Sequence, residues 1–326
     1  MAVLVTGAAG YIGSHMTLEL IDAGEAVAAL DNLSTGRRDL VPEGAAFYHG
    51  DIADEALLAR IFREHDVDAI LHFAGSIVVP DSVADPLGYY LNNTVKSRAL
   101  LAAAVAHGVK HVIFASTAVV YCITEPMPLS EAGKIDPISP YGASKVMTER
   151  MLADTAAAHD LSYCVLRFFN VAGADPEGRS GQASPKATHL IKTACQAVLG
   201  KRPHFQVYGT DYLTPDGTCV RDYIHVTDLA RAHLQALGYL RQGGGNLVMN
   251  CGYGRGYSVL EVIDTVKRVS GVDFPVRLAE RRAGDPAELI SDPSLIHRTL
   301  GWRPQLDDLD LIVDHALKWE RQLSRE

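Results

Sequence analysis

Cysteine is scarce in this sequence, and the few cysteines present are not paired by spacing. The 326 residues include an odd number of them and no CxxC pair: Cys122, Cys164, Cys195, Cys219 and Cys251. This pattern disfavours a disulfide framework and a zinc site, and it predicts free thiols in a reducing compartment. We therefore expect a cytoplasmic protein without a metal ion.

Long apolar runs and an excess of basic charge are also missing. No stretch reaches transmembrane length, and the first residues, MAVLVTGAAG, lack the basic and apolar regions of a signal peptide. The 30 Lys and Arg residues face 39 Asp and Glu residues, which gives a net charge of −9. A nucleic-acid binder needs a basic face, so we expect neither nucleic acid nor membrane as a partner.

The order of apolar segments predicts the fold class. Short apolar runs alternate with Ala- and Leu-rich amphipathic stretches, as when helices connect parallel strands that are buried on both faces. Strands are predicted at residues 3–6, 26–31, 46–48, 69–73, 112–116 and 163–168. Helices are predicted between them at 11–23, 55–65, 89–107 and 140–159. The pattern indicates an α/β protein with a Rossmann-type doubly wound parallel sheet.

After Asn170 the sequence becomes rich in Gly, Pro and Ser, and it reads VAGADPEGRSGQASP. Helices are predicted beyond it at 188–199, 226–240 and 260–269, the last two with Thr227 and Ser258 as candidate N-caps. We assign residues 1–170 to a dinucleotide-binding domain. Residues 171–326 are assigned to a smaller C-terminal α/β substrate domain that is free to interleave with the first.

A GxxGxxG turn follows the first predicted strand and opens the first predicted helix. Its glycines are Gly7, Gly10 and Gly13. Glycine permits a tight turn and a close backbone approach, and the helix N-terminus presents free N–H groups to the phosphates of a dinucleotide. The motif therefore predicts a pyrophosphate site.

An acidic residue ends the second predicted strand, where a dinucleotide-binding fold places a partner for the adenosine ribose. This residue, Asp31, favours NAD because a carboxylate repels a 2′-phosphate. Arg37 and Arg38 follow closely and are able to recruit that phosphate, so NADP stays open as the minority alternative.

The segment Tyr141-Gly-Ala-Ser-Lys145 places a phenol and an ammonium on one face of a helix that starts after Pro140. A free phenol has a pKa of about 10 and is a poor base at neutral pH, but a neighbouring cation favours the phenolate. Thr117 lies at the carboxyl end of a predicted strand, where its hydroxyl is placed to bind a reacting alcohol. The three residues are the candidate catalytic set.

These motifs resemble those of the extended short-chain dehydrogenase/reductases, and specifically of the epimerases that invert C4 of a UDP-hexose. The matching stretches cover nearly the whole chain: VTGAAGYIGSH, LDNLSTG, GDI, LHFAG, PLGYYLNN, ST with YGASK, LRFFNVAGA, YGTDYLTPDGTCVRDYIHVTDLA and RRAGDP. The longest of them is specific to the substrate domain of the epimerases rather than to Rossmann domains at large.

The resemblance implies a site, residue by residue. Besides the three glycines, the NAD site is implied to contain Tyr11, Ile12, Asp31, Asn32, Asp51, Ile52, Phe73, Ala74, Gly75, Asn92, Tyr141, Lys145 and Phe169. The UDP-sugar is implied to contact Thr117, Tyr141, Asn170, His189, Leu190, Tyr208, Arg221, Arg282 and Asp285. Guanidinium groups suit a diphosphate because they donate two parallel hydrogen bonds.

The implied reaction is NAD-dependent epimerisation of UDP-glucose and UDP-galactose through a transient 4-keto sugar. Leu289 occupies the back wall of the hexose pocket in such enzymes, which leaves epimerases of UDP-N-acetylglucosamine, UDP-glucuronate or UDP-pentoses as alternatives. A non-catalytic NAD-binding regulator is a further alternative. A 4,6-dehydratase is disfavoured because Ala118 and Val119 stand where that enzyme needs an acidic pair.

Homodimerisation is also implied, through helices 89–107 and 140–159. Small apolar residues on the first of these, Leu100, Leu101, Ala104 and Val105, suit a helix bundle between subunits. The alternative is that these residues cover the sheet. One departure from the family pattern is Ile77, which stands where many relatives carry a lysine near the cofactor phosphates.

Overall fold

The computed structural model describes residues 1–122, 126–184, 188–282 and 284–325. Within them the strands are β1 (Ala2–Thr6), β2 (Ala26–Asp31), β3 (Ala46–His49), β4 (Val67–His72), β5 (His111–Thr117), β6 (Ser162–Phe168), β7 (Asn170–Ala172), β8 (Phe205–Tyr208), β9 (Val220–His225), β10 (Leu247–Cys251), β11 (Gly256–Ser258), β12 (Val276–Ala279) and β13 (Glu288–Leu289). The helices are α1 (Tyr11–Asp22), α2 (Glu55–Glu64), α3 (Val79–Ala84), α4 (Pro86–Tyr89), α5 (Lys96–Ala106), α6 (Pro140–Ala158), α7 (Leu190–Val198), α8 (Val226–Arg241), α9 (Val259–Ser270), α10 (Ser294–Leu300) and α11 (Leu309–Gln322). A π-helical segment, Tyr90–Val95, joins α4 to α5.

A seven-stranded parallel sheet forms the centre of the molecule, in the order β10-β6-β5-β4-β1-β2-β3. Strands β2 and β3 lie on one side of β1, and β4, β5 and β6 lie on the other, so the strand order reverses between β1 and β4. The predicted Rossmann-type doubly wound sheet is therefore confirmed. All six predicted strands are present, with ends that differ from the prediction by no more than two residues. The seventh strand, β10, was not predicted.

Both faces of this sheet are covered by helices. Val3 and Val5 of β1 pack in the cluster that contains α1 and α8, whereas Leu4 between them packs in the cluster that contains α2 and α5. Successive strand residues point to opposite faces, so a continuous apolar run is what a sheet buried on both sides requires.

One prediction about α5 is wrong. Leu100, Leu101 and Ala104 are buried in the core with 0%, 5% and 0% exposure, and Val105 packs against the same cluster. These side chains cover the sheet because α5 is one of its connecting helices. Leu100, Leu101 and Ala104 are therefore not available to contact a second subunit.

The second half of the chain adds smaller sheets beside the main one. Strand β9 pairs with β7, β11 and β13, while β8 pairs with β12. Helices α7, α9 and α11 pack together over a separate apolar cluster. Strand β10 and helix α8 instead return to the main sheet, so the two halves of the sequence interleave.

The helix caps give one confirmation and one correction. Ser258 caps α9 in a capping box with Glu261, as predicted. Helix α8 is capped by His225, whose Nδ1 accepts a hydrogen bond from the backbone N–H of Thr227, so the prediction of Thr227 as the N-cap was wrong. A membrane-spanning candidate, a helix of sufficient length and apolarity, is not found in the described part of the chain.

Candidate active site

The glycine turn lies between β1 and α1 and is shaped by close backbone contacts. Gly7 has a φ of 71°, and a Cβ added to it would lie 2.7 Å from the backbone nitrogen of Ala74. A Cβ on Gly13 would lie 2.0 Å from the carbonyl oxygen of Gly7. Gly10 is the N-cap residue of α1 and provides no side-chain cap, so the first N–H groups of the helix are left for the turn. The arrangement suits an anionic ligand.

Asp31 ends β2 beside this turn and is buried. Its carboxylate accepts hydrogen bonds from the backbone N–H of Ala9 (2.9 Å) and of Leu33 (2.7 Å). Burial raises the pKa of Asp31, and the two backbone hydrogen bonds lower it in part. Because its position is fixed by both oxygens, Asp31 presents a defined acceptor at the edge where a ribose would lie.

The two arginines that kept NADP open are engaged elsewhere. Arg37 forms an ion pair with Asp39 at 2.5 Å, and the guanidinium of Arg38 lies 4.4 Å from the centre of the Phe47 ring. Asp31 is the acceptor at the ribose edge, and its carboxylate favours NAD over NADP.

Asn32 and Asp51 are neighbours at the same edge of the sheet. The Asn32 side-chain amide donates to Asp51 Oδ2 over 3.3 Å, and Lys96 Nζ lies 2.5 Å from that oxygen. Burial raises the pKa of Asp51, but the hydrogen bond and charge of Lys96 outweigh it and the pKa is lowered. Ile52 is buried beside them. Lys96 was not predicted because it lies 45 positions away in the sequence.

The segment after β4 forms the next part of the site. The backbone of Phe73 and Ala74 packs closely against Gly7, and Gly75 has a φ of 159°. Asn92 donates to Ser76 Oγ over 2.9 Å, and Asn93 accepts from the backbone N–H of Ser76 over 2.7 Å. Asn93 was missed in the sequence because a buried asparagine inside a helix carries no motif of its own. The predicted residues Phe73, Ala74, Gly75 and Asn92 are thus brought together.

Thr117 and Tyr141 meet at the carboxyl end of β5. Ser139 caps α6 and Pro140 is its first residue, so Tyr141 lies in the first helical turn, where it is 7% exposed. Burial raises the pKa of Tyr141 to about 12, although the hydrogen bond with Thr117 lowers it. Burial thus outweighs the hydrogen bond of Thr117, and the lowering by Lys145 that the sequence predicted is not found.

Lys145 lies one helical turn further along α6 and is 4% exposed. Its ammonium donates to the carbonyl oxygen of Ala115 over 2.9 Å and lies 4.7 Å from the centre of the Phe114 ring. Burial lowers the pKa of Lys145 to about 8. A Cβ on Gly75 would be 3.9 Å from this nitrogen, so the reacting centre and the segment after β4 are in contact.

A cavity joins part of the predicted cofactor site to part of the predicted substrate site. It is lined by Tyr11, Asn170, His189 and Leu190 among others. The Tyr11 hydroxyl donates to the carbonyl oxygen of Gly173 over 2.8 Å, which fixes the ring at the edge of the cavity. Burial lowers the pKa of His189, and its imidazole therefore favours the neutral form.

The remaining predicted substrate residues form two pairs, on β8, β9 and the segment between β12 and β13. Arg221 Nη2 lies 3.9 Å from Asp285 Oδ1. The guanidinium of Arg282 lies 3.8 Å from the centre of the Tyr208 ring. Arg221 is nearly buried, whereas Arg282 and Asp285 are exposed. These pairs supply the cationic groups that an acidic protein needs for an anionic ligand.

Phe169 follows β6 and belongs to a small apolar cluster with Ala118 and Tyr121, against which Leu289 packs. The cluster borders the end of β5 that carries Thr117. Leu289 thus packs on the cluster that follows Thr117, and its place in a sugar pocket stays a prediction. Among the described residues, no group of three or more His, Cys, Asp or Glu side chains is arranged to hold a metal.

Comparisons with known proteins agree with this geometry. The model of the NAD dependent epimerase/dehydratase family matches residues 3–252. A UDP-glucose 4-epimerase of Azospirillum brasilense is 57% identical over 323 residues, which cover 99% of this chain and 93% of that protein.

Two solved structures are similar over nearly the whole chain. The UDP-glucose 4-epimerase of Brucella ovis in complex with NAD has a TM-score of 0.94 at 44% identity and covers 97% of each chain. The enzyme of Bifidobacterium longum in complex with NAD⁺ and UDP has a TM-score of 0.93 at 37% identity, over 99% of this chain and 98% of that one. The chain therefore belongs to the NAD dependent epimerase/dehydratase family, among relatives that are UDP-glucose 4-epimerases.

Proposed function

We propose that this protein is an enzyme that epimerises C4 of a UDP-hexose, interconverting UDP-glucose and UDP-galactose through a transient 4-keto sugar with NAD as its cofactor. The observation that carries the proposal is the meeting of Thr117, Tyr141 and Lys145 at the carboxyl end of β5, next to Gly75. The relatives that share this fold were solved with NAD, or with NAD⁺ and UDP.

The described residues fit NAD. Neighbouring backbone occupies the positions that a Cβ on Gly7 or Gly13 would take, so glycine is required for a turn this tight, and the turn would bring the N-terminus of α1 up to a pyrophosphate. Asp31 would bind the ribose hydroxyls, and Asn32, Asp51 and Ile52 would surround the adenine end. Phe73, Ala74, Gly75, Asn92 and Phe169 would line the rest, with Tyr11 and Ile12 at the pyrophosphate. When bound, NAD accepts the C4 hydride and returns it.

Tyr141, Thr117 and Lys145 would manage the proton of the sugar 4-hydroxyl. Tyr141 exchanges that proton, and Thr117 hydrogen-bonds the same oxygen and the phenolate. The buried phenol has a raised pKa of about 12, so its charged form depends on nearby hydrogen bonds and cations. The ammonium of Lys145 is held in place by Ala115 to supply that charge.

The UDP moiety would be bound away from the reacting carbon. Arg221 and Arg282 would donate to the diphosphate, with Asn170, His189, Leu190, Tyr208 and Asp285 around the nucleotide. A firm hold on UDP and a looser hold on the hexose allow the sugar to turn and present its other face to the same cofactor. The binding energy of the unreactive part thereby positions the reactive one.

The reaction is tested on the purified protein. Mass spectrometry and absorbance are expected to show NAD that co-purifies. Incubation with UDP-galactose and no added reductant is expected to yield UDP-glucose. A panel of UDP-sugars tells whether Leu289 admits an N-acetylated, uronic or pentose sugar. Bound NAD without turnover of any of them would contradict the proposal and favour a non-catalytic regulator.

We also propose a homodimer, on a different face from the one first predicted. Val83, Leu87, Leu91 and Val95 are 64%, 78%, 55% and 54% exposed, and they recur every fourth residue along α3, α4 and the π-helical segment. Met147 of α6 is 43% exposed and lies beside Thr94. Together they give an exposed apolar surface on α3, α4, the π-helical segment and α6, which suits a second copy packed by the same face.

The dimer is tested by light scattering after chromatography. Leu87→Glu in the apolar face is expected to give a monomer, because a charge would be buried at the centre of the interface. Leu213→Glu is the matched control, since Leu213 is 99% exposed and lies in the loop between β8 and β9 rather than on α3, α4, the π-helical segment or α6. A wild-type monomer, or a Leu87→Glu dimer as stable as the control, would contradict the proposal.

A division into a cofactor-binding part, residues 1–170, and a substrate-binding part, residues 171–326, completes the proposal. It is supported by the separate apolar cluster of α7, α9 and α11. The return of β10 and α8 to the main sheet means that the two parts share one body rather than meeting at a linker. A cytoplasmic location fits the buried thiols Cys164, Cys195 and Cys251.

A further inference from the structure

The end of β5 contacts successive turns of α6 through consecutive residues. Thr117 hydrogen-bonds Tyr141, and the carbonyl oxygen of Ala115 accepts from Lys145. The residue between them, Ser116, donates its hydroxyl to Glu149 Oε1 over 2.5 Å. Because 141, 145 and 149 are one helical turn apart, Glu149 extends the catalytic face of α6 by one turn.

Glu149 is held by a buried ion pair. Arg167 of β6 donates through Nε to Glu149 Oε1 over 3.0 Å and through Nη2 to Oε2 over 2.6 Å. The two side chains are only 9% and 8% exposed. Arg167 Nη1 also donates to the Tyr121 hydroxyl over 3.0 Å, and that hydroxyl donates to Asn250 of β10 over 2.7 Å. The network joins α6 to three strands of the sheet.

We propose that Glu149 is a positioning residue for the reaction: with Ser116 and Arg167 it fixes the turn of α6 that carries Lys145 and keeps the Lys145 ammonium charged beside Tyr141. This inference rests on the proposed function. A buried ion pair is in general weak evidence for added stability, because desolvation offsets the attraction. Its placement one turn beyond Lys145 is what assigns it a role in the site.

The electrostatic surroundings of Lys145 support this role. Burial lowers its pKa to about 8, and the charge of Glu149 raises it. His72 of β4 also faces Lys145, but burial and the lysine charge lower its pKa to about 3, so it is neutral. Burial raises the pKa of Tyr141 of α6 to about 12 and also raises the pKa of Tyr89 of α4. Arg167 is not among the groups that shift the pKa of Lys145.

Glu149→Gln is the direct test. Loss of the carboxylate charge leaves burial unopposed, so the pKa of Lys145 falls below about 8. The alkaline limb of the kcat profile is expected to shift to lower pH by about one unit. The same shift is expected in a titration of Lys145 followed by NMR of ¹³Cε-labelled lysine, assigned with Lys145→Arg.

Two further variants separate charge from packing. Asp154→Asn removes the exposed partner of Arg150 on the same helix and is expected to shift neither titration. The double variant Glu149→Gln with Arg167→Met removes both buried charges, so it keeps the fold if the single variant does not. It is also expected to lower the pKa of Lys145.

The outcomes are distinct. A Lys145 titration that stays at its wild-type pH in both Glu149 variants, with only a lower melting temperature, would overturn the inference. The NMR titration needs no turnover. A wild-type protein without epimerase activity, whose Glu149 variants still show the expected Lys145 shift, would refute the proposed function but not the effect of Glu149 on Lys145.

Discussion

Gly7→Ala tests whether the backbone at the glycine turn has to be bare. An alanine at a φ of 71° has to adopt the left-handed backbone conformation, which costs about 1–2 kcal/mol. Its Cβ would also lie 2.7 Å from the nitrogen of Ala74 and 2.9 Å from the carbonyl carbon of Phe73. Both contacts are with backbone, so the strands have to separate, at a further cost of about 1–3 kcal/mol.

Gly108→Ala is the matched control. Gly108 has a φ of 72°, and a Cβ there would meet no heavy atom within 4 Å. It shares the conformational cost with Gly7 but not the clash. The difference between the two variants in free energy of unfolding therefore isolates the close approach of Gly7 to the segment after β4.

The assay is urea unfolding at a fixed NAD concentration, together with the NAD content of each purified variant. Gly7→Ala is expected to lose about 1–3 kcal/mol more than Gly108→Ala and to contain little NAD. Any loss of NAD affinity enlarges the difference, because a bound ligand stabilises the folded state. Equal losses of stability with full NAD content in both variants would refute the reasoning.

Three further predictions concern the site and the pH dependence of stability. Asp31→Asn turns one buried acceptor into a donor that faces a backbone N–H. It is expected to lower the free energy of unfolding by about 1–3 kcal/mol and to reduce the NAD content of the purified protein. A wild-type NAD content would contradict this prediction. Arg221→Lys keeps the positive charge but loses the planar guanidinium, which donates two parallel hydrogen bonds. Calorimetry is expected to show UDP binding that is about tenfold weaker. An unchanged Kd for UDP would show that Arg221 is not part of the site. Burial lowers the pKa of His15, His72 and His233 from 6.5 to about 4, 3 and 4. Below pH 6.5 the unfolded chain binds protons that these folded imidazoles do not, so the free energy of unfolding is expected to fall as the pH decreases towards about 4, by up to about 1.4 kcal/mol per histidine and pH unit. Equal stability by urea unfolding at pH 7 and pH 5 would contradict this.

Local patterns in the sequence predicted the parts of the fold that local interactions determine. Six strands and their connecting helices follow from the period of the apolar residues, and the GxxGxxG turn follows from glycine spacing. Strand β10 was not predicted because it pairs with β6 across about eighty intervening residues, and no local signal encodes such a pairing. The N-cap of α8 was misplaced by two residues because a histidine, His225, performs a role usually given to Ser, Thr, Asp or Asn.

In the candidate site, too, the sequence predicted what local spacing determines and missed what depends on packing. The YxxxK spacing predicted that Tyr141 and Lys145 share a helical face, which the structure confirms. It did not predict that burial dominates both pKa values, because burial depends on the packing of α6 against β5 and the segment after β4. The Glu149–Arg167 pair was also missed, since a charged residue inside a helix looks like any solvated position until its depth is known.

Tyr141→Phe is the measurement that tests the account most directly, because it removes one hydroxyl and keeps the ring. We expect kcat for the conversion of UDP-galactose to UDP-glucose to fall by about 10²–10⁴-fold, while NAD content and UDP affinity stay at the wild-type level. Tyr163→Phe on β6, outside the site, is expected to retain full activity. Retention of wild-type kcat by Tyr141→Phe would contradict the central claim that this phenol exchanges the proton of the sugar.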